Sequence, residues 1–146
     1  MKKVTELFFY GVILIYLTGC ASAPKPVSEN FNNHVFSASF DKTYKSLIKS
    51  LQDAKFPFQT QNPELGIIET EWKPESNLLA GLFIGKLHSK IRATLTRLDE
   101  AHTKVTVEIL VEKQTGKGTW EPADLVREKD YTQFFNGVQE NLDYLK

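Results

Sequence analysis

Two stretches in the second half of the chain alternate between apolar and polar residues, and this pattern constrains the fold more than any other feature. They cover residues 91–96 (IRATLT) and 104–111 (KVTVEILV). Because successive side chains of a strand point to opposite faces of a sheet, a period of two predicts strands with one dry and one wet face. Residues 99–102 (DEAH) are suited to the turn between them. The sequence therefore predicts an antiparallel sheet that contains this hairpin.

Two amphipathic helices are predicted, one before the hairpin and one at the end of the chain. The first covers residues 40–54 and has Ser39 or Asp41 as its N-cap. The second follows a capping box formed by Asp130 and Gln133. Apolar residues recur at helical spacing in both, which predicts one buried face on each helix. These residues are Phe40, Tyr44, Leu47, Ile48, Leu51 and Ala54 in the first, and Tyr131, Phe134, Phe135, Val138, Leu142 and Leu145 in the second.

Shorter strands are predicted around these elements. Residues 34–39 form the first, residues 56–58 (FPF) end the first helix and start the next strand, and residues 66–72 (GIIETEW) form another. Residues 62–66 (NPELG) are a turn. The predicted order is β-α-β-β-β-β-α. The fold class is α+β, with a four- to five-stranded antiparallel sheet and two helices packed on one face.

Composition excludes several classes of protein. The 146 residues are 41% hydrophobic and 25% charged, which is enough for one domain with one core. Basic and acidic residues number 18 each, so no net charge favours nucleic acid. The single cysteine cannot form an internal disulfide, and the three histidines lack metal-ligand spacing. We expect no metal, no cofactor and no nucleic-acid partner.

The start of the chain carries a targeting signal. Lys2 and Lys3 precede an apolar run over residues 7–17 (LFFYGVILIYL). Eleven residues make about 16 Å of helix, roughly half of a bilayer core. This length is typical of the hydrophobic region of an export signal. The alternatives are an uncleaved anchor helix and a plain secretory signal with an incidental cysteine.

The apolar run ends in Leu17, Thr18, Gly19 and Cys20, which resembles the bacterial lipobox. This resemblance implies that residues 1–19 are a lipoprotein signal peptide and that cleavage leaves Cys20 as the first residue. It also implies covalent lipid on Cys20, namely a diacylglyceryl group on the thiol and an acyl chain on the amine. Because two or more acyl chains hold a protein firmly, this lipid would anchor the chain to the bilayer.

A tether is predicted between the anchor and the domain. It covers residues 20–33 and is rich in Pro, Ser, Ala and Asn, with Pro24 and Pro26 favouring extended conformations. Its last thirteen residues span about 43–47 Å when fully extended. In the lipoprotein pattern, aspartate after the cysteine favours the inner membrane. The chain has Ala21 there, so the resemblance implies the periplasmic face of the outer membrane.

The sequence contains few motifs that are typical of catalytic sites. There is no G-x-S-x-G motif, and His34, His88 and His102 are expected to be solvated or hydrogen-bonded. Glu69 and Glu71 share a strand face, an arrangement that is commonplace on exposed strands. Residues 81–86 (GLFIGK) are one residue short of a phosphate-binding loop and lack its Ser or Thr. The sequence therefore predicts a protein that is not an enzyme.

Two surface features are candidates for binding a partner or ligand. Residues 78–85 (LLAGLFIG) form an apolar stretch that either packs in the core or lies exposed. Trp72 and Trp120 are expected in the core, but an exposed Trp120 would anchor a partner. The candidate surface residues are Leu78, Leu79, Leu82, Phe83, Ile84 and Trp120.

The order of elements in residues 35–145, with FPF and GIIETEW after a capped helix, resembles the repeated domain of the BamC family of outer-membrane lipoproteins. That family has helix-grip domains, two in each protein, whereas residues 34–146 here have room for one. The resemblance implies a non-catalytic protein-interaction module in envelope assembly, with an envelope protein as partner. The alternative is a periplasmic module that binds a small apolar ligand such as a lipid. Its pocket would be lined by Phe56, Phe58, Trp72 and Phe135.

Overall fold

The computed structural model describes residues 31–75 and 86–145. The predicted α+β class, with an antiparallel sheet and two helices, is confirmed. The elements are β1 (Asn33–Phe36), α1 (Phe40–Asp53), β2 (Phe58–Asn62), β3 (Ile67–Thr70), β4 (Lys73–Pro74), β5 (Leu87–Arg97), β6 (Thr103–Gln114), β7 (Trp120–Pro122) and α2 (Glu128–Tyr144).

The hairpin formed by β5 and β6 lies at the centre of the sheet. The main strand order is β1-β6-β5-β3-β2, and the short strands β4 and β7 pair with β5 and β6 in addition. Ile91 pairs with Ile109 and Leu95 with Val105, so the alternating residues of the two strands share one face. Both strands extend beyond their predicted ends because backbone pairing continues where the apolar alternation weakens.

Both helices contribute to the core on that face. Leu47 and Leu51 of α1 and Val138 of α2 are fully buried against Val105 and Val107 of β6. Burial of a leucine-sized side chain stabilises the fold by about 1.5–3 kcal/mol. The helices also contact each other, since the side-chain amide of Asn141 donates a hydrogen bond to Ser50 Oγ at 2.9 Å. This hydrogen bond joins the two helices directly.

The predicted capping box of α2 is wrong. The helix begins at Glu128, and Asp130 is the third residue of its first turn. The Asp130 carboxylate accepts a hydrogen bond from the backbone N–H of Arg127 at 2.8 Å. The helix starts earlier because this acidic side chain stabilises the upstream residue as the N-cap. Gln133 therefore lies in the helix interior.

Smaller corrections concern the helix ends. Ser39 is the N-cap of α1, as predicted, but its side chain makes no cap hydrogen bond. Its carbonyl oxygen instead accepts a hydrogen bond from Thr43 Oγ1 at 3.0 Å. Ala54 and Leu145 are exposed because each follows the last residue of its helix, so neither belongs to the buried faces.

Candidate functional site

Most of the candidate residues from the sequence lie outside the described part of the chain. This applies to the lipobox residues Leu17, Thr18, Gly19 and Cys20, and to Leu78, Leu79, Leu82, Phe83 and Ile84. Lipidation and the exposure of the apolar stretch therefore stay predictions. Trp120 is the one candidate surface residue within the described ranges.

Trp120 belongs to a stack of three rings. His88 lies between the two indoles, with its ring centroid 3.7 Å from that of Trp120 and 4.0 Å from that of Trp72. His88 Nε2 also lies 2.8 Å from a carboxylate oxygen of Glu112. Trp120 is 39% exposed, and neither indole belongs to the hydrophobic core of the described residues. The expectation that both are core residues is therefore wrong.

This ring stack lies on the sheet face opposite the helices. Leu87 and Ser89, which flank His88 in β5, are buried on the helix side, so the imidazole points the other way. The stack joins β7 to the segment before β4 across the central hairpin. His88 is hydrogen-bonded as expected, although it lies within a strand rather than before one.

A ladder of charged side chains crosses the same sheet face. Glu69 Oε1 lies 2.6 Å from Lys90 Nζ and 3.0 Å from Arg92 Nε. Lys90 is only 7% exposed, and its ammonium also donates to Gln59 Oε1 at 2.8 Å. The hydrogen bonds from Lys90 and Arg92 lower the pKa of Glu69. A lowered pKa holds this carboxylate ionised, which is the reverse of what a general acid requires.

Substitution of Glu69 with glutamine tests the charge ladder through pH dependence. Because the pKa of Glu69 is lower in the folded state, its stabilisation is present above the ordinary value of 4.5 and is lost as pH falls through the folded pKa. We expect Glu69→Gln to lower the melting temperature at pH 7, with a difference from the wild type that shrinks as pH falls below 4.5 and through the lowered pKa of Glu69. Melting curves from pH 7 to pH 3 measure this difference. Glu71→Gln is the exposed control, and an equal gap at every pH would contradict the prediction.

An apolar cleft opens on the other face of the sheet, between the sheet and the helices. Ala93, Leu95, Val105 and Val107 are almost fully buried near the hairpin turn. Towards the far end of β6, Ile109 and Val111 point to the same side but are only half-buried. The apolar face is therefore less covered at this end of β6 than near the hairpin turn, whereas Leu87, Ser89 and Ile91 of the neighbouring strand β5 are buried.

The walls of this helix–sheet cleft come from both helices and from the segment before α2. Its volume is about 500 Å³, within the range of ligand pockets. Two of its polar groups are engaged: Ser89 Oγ donates to Glu75, and the Asp130 carboxylate caps α2. Its apolar lining residues are Ala54, Phe56, Leu87, Ile91, Ile109, Val111, Leu125, Val126 and Phe134, and the others are Ser50, Glu75, Ser89, Arg127, Asp130, Gln133 and Gly137.

The predicted pocket lining is mostly wrong. Phe56 lines the cleft, but Phe135 is buried in the core and Trp72 lies on the opposite sheet face. Phe58 packs against the core. One sequence signal does indicate the cleft: the apolar alternation continues through Val111, whereas the facing half of α2 contains polar residues and a glycine.

Neither a metal centre nor a membrane span is found in residues 31–75 and 86–145. No group of histidine, cysteine and acidic side chains there is arranged to hold a metal ion. No helix within those ranges is both long enough and apolar enough to cross a bilayer.

Comparisons with known proteins leave the family open. No protein-family model matches the chain, and no curated protein matches it. Among solved structures it is similar to the adenylate sensor from AMP-activated protein kinase, solved in complex with 5-aminoimidazole-4-carboxamide ribofuranotide (ZMP). The identity is 11% and the TM-score 0.45, over 75% of this chain and 93% of the other.

Proposed function

We propose that this chain is a lipid-anchored, non-catalytic module of the bacterial envelope that binds a small apolar ligand, such as an acyl chain, in the helix–sheet cleft. The observation that carries the proposal is the half-buried apolar floor formed by Ile109 and Val111. A well-packed core leaves few such surfaces uncovered. Cover by an apolar ligand would stabilise this floor in proportion to the area removed from water.

The chemistry of the cleft supports binding rather than turnover. Nine of its sixteen lining residues are aliphatic or aromatic, and the polar ones include Glu75, Arg127 and Asp130; an apolar lining with some polar groups is typical of ligand sites. Glu75 accepts a hydrogen bond from Ser89, and Asp130 accepts one from the Arg127 backbone. Both carboxylates therefore already have partners within the fold.

The lipobox resemblance supports a location next to lipid. A lipid anchor on Cys20 would hold the domain on the periplasmic face of the outer membrane. The domain begins close to Phe31, which packs against the core. The eleven residues from Cys20 to Asn30 reach about 36–40 Å when extended. An anchored domain with this tether stays within reach of acyl chains from the bilayer.

Photo-crosslinking in cells tests the proposed function. Cells that express the full chain are fed a clickable, photo-reactive C16 fatty acid, and labelled peptides are mapped by mass spectrometry. We expect labels on peptides that line the cleft, separate from the Cys20 peptide, and about tenfold fewer of them in Val111→Asp because a carboxylate on the floor disfavours an acyl chain.

Leu110→Asp is the matched control, since Leu110 is also half-buried and points to the opposite sheet face. Melting temperatures of both variants show whether the fold is retained. Labels confined to the Cys20 peptide, or lost equally in both variants, would contradict the proposal.

A second candidate function is the protein-interaction module in envelope assembly that the BamC resemblance implies. The observation that favours it is Trp120, whose indole is 39% exposed and is held by its stack on His88. Exposed tryptophans with a fixed ring are common anchors of protein interfaces. Recovery of an envelope protein joined to the Trp120 peptide by a protein–protein crosslinker, added to cells that express the full chain, would favour this function over lipid binding.

A further inference from the structure

β1 forms one edge of the sheet and pairs only with β6 among the described strands. In an antiparallel pair, successive residues direct their backbone N–H and C=O groups towards the partner strand and away from it in turn. Val107 N–H donates to the carbonyl oxygen of Asn32, so Asn32 faces β6 and Val35 faces outward. Val35 is 47% exposed, and no hydrogen bond from the described residues reaches its backbone. β1 therefore offers a free backbone edge.

A groove of about 530 Å³ follows this edge, and we call it the β1-edge groove. Its volume is within the range of ligand pockets. β1, the start of α1, the turn between β5 and β6 and the last turns of α2 form its walls. The imidazole of His34 stacks on the ring of Phe135 with centroids 5.4 Å apart, which holds β1 against α2. The lining residues are His34, Val35, Ser37, Ala38, Ser39, Lys42, Ala101, Gln139 and Leu142.

A single lysine sets the charge of this groove. Lys42 is the only lysine, arginine or acidic residue among its described lining residues. Its ammonium forms no ion pair within residues 31–75 and 86–145. Asp41 and Glu100 are adjacent in sequence to lining residues but do not line the groove. A carboxylate that enters the groove would therefore meet an unpaired cation.

The other edge of the sheet is less suited to pairing with a further strand. β2 has an irregular register against β3 between Phe58 and Thr60. Bulges of this kind twist an edge and disfavour pairing with another chain. The four pairs of β1 with β6 are regular, and the groove lies beside β1. Of the two edges, β1 therefore combines a regular free backbone with a cavity.

We propose that the β1-edge groove binds an extended, acidic segment of a partner protein, which adds to the sheet as a strand beside β1. Strand addition gains affinity from main-chain hydrogen bonds and specificity from alternate side chains. One set of side chains would lie next to Val35 on the open sheet face, and the other set would face the groove and Lys42. The groove shares no lining residue with the helix–sheet cleft, so this site is separate from the proposed acyl-binding site.

A peptide panel tests the charge of the site. The probes are fluorescein-labelled pentapeptides of sequence T-V-X-V-T, with X varied over all amino acids, and fluorescence polarisation measures their binding to the full chain in detergent. We expect peptides with Asp or Glu at X to bind about fivefold more tightly than those with Lys or Arg, the upper range for an exposed ion pair. Lys42→Glu should reverse this order, because the charge at the site is reversed.

N-methylation of the peptide backbone tests strand pairing without altering the protein. Because alternate residues of an added strand face β1, methyl groups at alternate positions should weaken binding about tenfold, and those between them by less than about twofold. Val35→Pro removes the outward N–H from the protein side and should also cost about tenfold. Gln61→Pro, at an outward-facing position of the edge strand β2, is the matched control and should leave binding unchanged.

Melting curves show whether each variant retains its fold, and the N-methyl series keeps the test valid if Val35→Pro does not. Four outcomes would overturn the inference and leave the acyl-binding proposal standing: no peptide binds, the charge preference persists in Lys42→Glu, N-methylation shows no period of two, or Gln61→Pro loses as much binding as Val35→Pro. Analytical ultracentrifugation of the full chain adds a fifth. A dimer that Val35→Pro abolishes would identify a second copy of the chain as the occupant.

Discussion

Replacement of Gly66 with alanine is expected to lower the free energy of unfolding by about 3 kcal/mol, the sum of backbone strain and a steric clash. Gly66 ends the turn before β3 with a φ of +66°, a region that L-residues rarely adopt. A Cβ there would lie 2.5 Å from the carbonyl oxygen of Leu95 and 3.1 Å from the ring of Phe40. The backbone has little room to move, because Leu95 N–H donates to the carbonyl oxygen of Gly66 at 2.8 Å.

Gly118→Ala is the control that separates the two causes. Gly118 also has a positive φ, of +84°, but a Cβ there meets nothing within 4 Å. We expect this variant to lose only the backbone contribution, about 1 kcal/mol. Chemical denaturation of both variants measures the difference. Equal losses would show that the turn at Gly66 relaxes away from Leu95 and that the close approach does not constrain it.

The alternation of apolar and polar residues predicted β5 and β6 correctly, because burial of one sheet face requires an apolar residue at every second position. Ile91, Ala93 and Leu95 face the helices, and Arg92 and Thr94 face away, as a period of two requires. The pattern breaks at His88 and Lys90, where both faces of β5 are half-buried or buried. These residues are covered by partners distant in the chain, which no local pattern indicates.

The ring stack and the cleft both depend on contacts between residues that are distant in the chain, which local sequence patterns do not indicate. Trp72 and Trp120 are 48 residues apart in the chain and lie on either side of His88 because β4 and β7 flank the same hairpin. The predicted pocket brought Phe56, Phe58, Trp72 and Phe135 together. Phe135 instead packs in the core, because helical spacing places it on the same face as Val138 and Leu142. The cleft lies between the sheet and both helices, and its lining comes from segments that are distant in the chain.

The charge ladder is another feature that the sequence alone does not predict. Glu69 and Glu71 share a face by spacing, yet the structure gives Glu69 two cationic partners from β5. The register of β3 against β5 pairs Glu69 with Arg92. Lys90 precedes Arg92 by two residues in β5 and therefore lies on the same face. Register between strands is a tertiary property, so a paired-carboxylate hypothesis based on one strand could not include these partners.

Substitution of Cys20 with serine is expected to abolish the lipid anchor completely. The lipobox resemblance assigns the diacylglyceryl group to the thiol of Cys20, and a serine hydroxyl is a far weaker nucleophile than a thiolate. No other cysteine is present in the 146 residues to take its place. The sequence therefore predicts that a single oxygen-for-sulfur exchange removes every acyl chain.

The measurement combines palmitate labelling with intact mass. The wild type should carry label and have the mass of residues 20–146 plus one diacylglyceryl group and one N-acyl chain, whereas Cys20→Ser should carry no label and keep residues 1–19. Ser22→Ala, two residues away, is the control and should behave as the wild type. Since one acyl chain gives only marginal membrane binding and two or more hold a protein firmly, partial acylation would also appear as partial release from membranes. Label that survives in Cys20→Ser, or an unlabelled wild type that keeps its leader, would contradict both the anchor and the envelope location on which the proposed function depends.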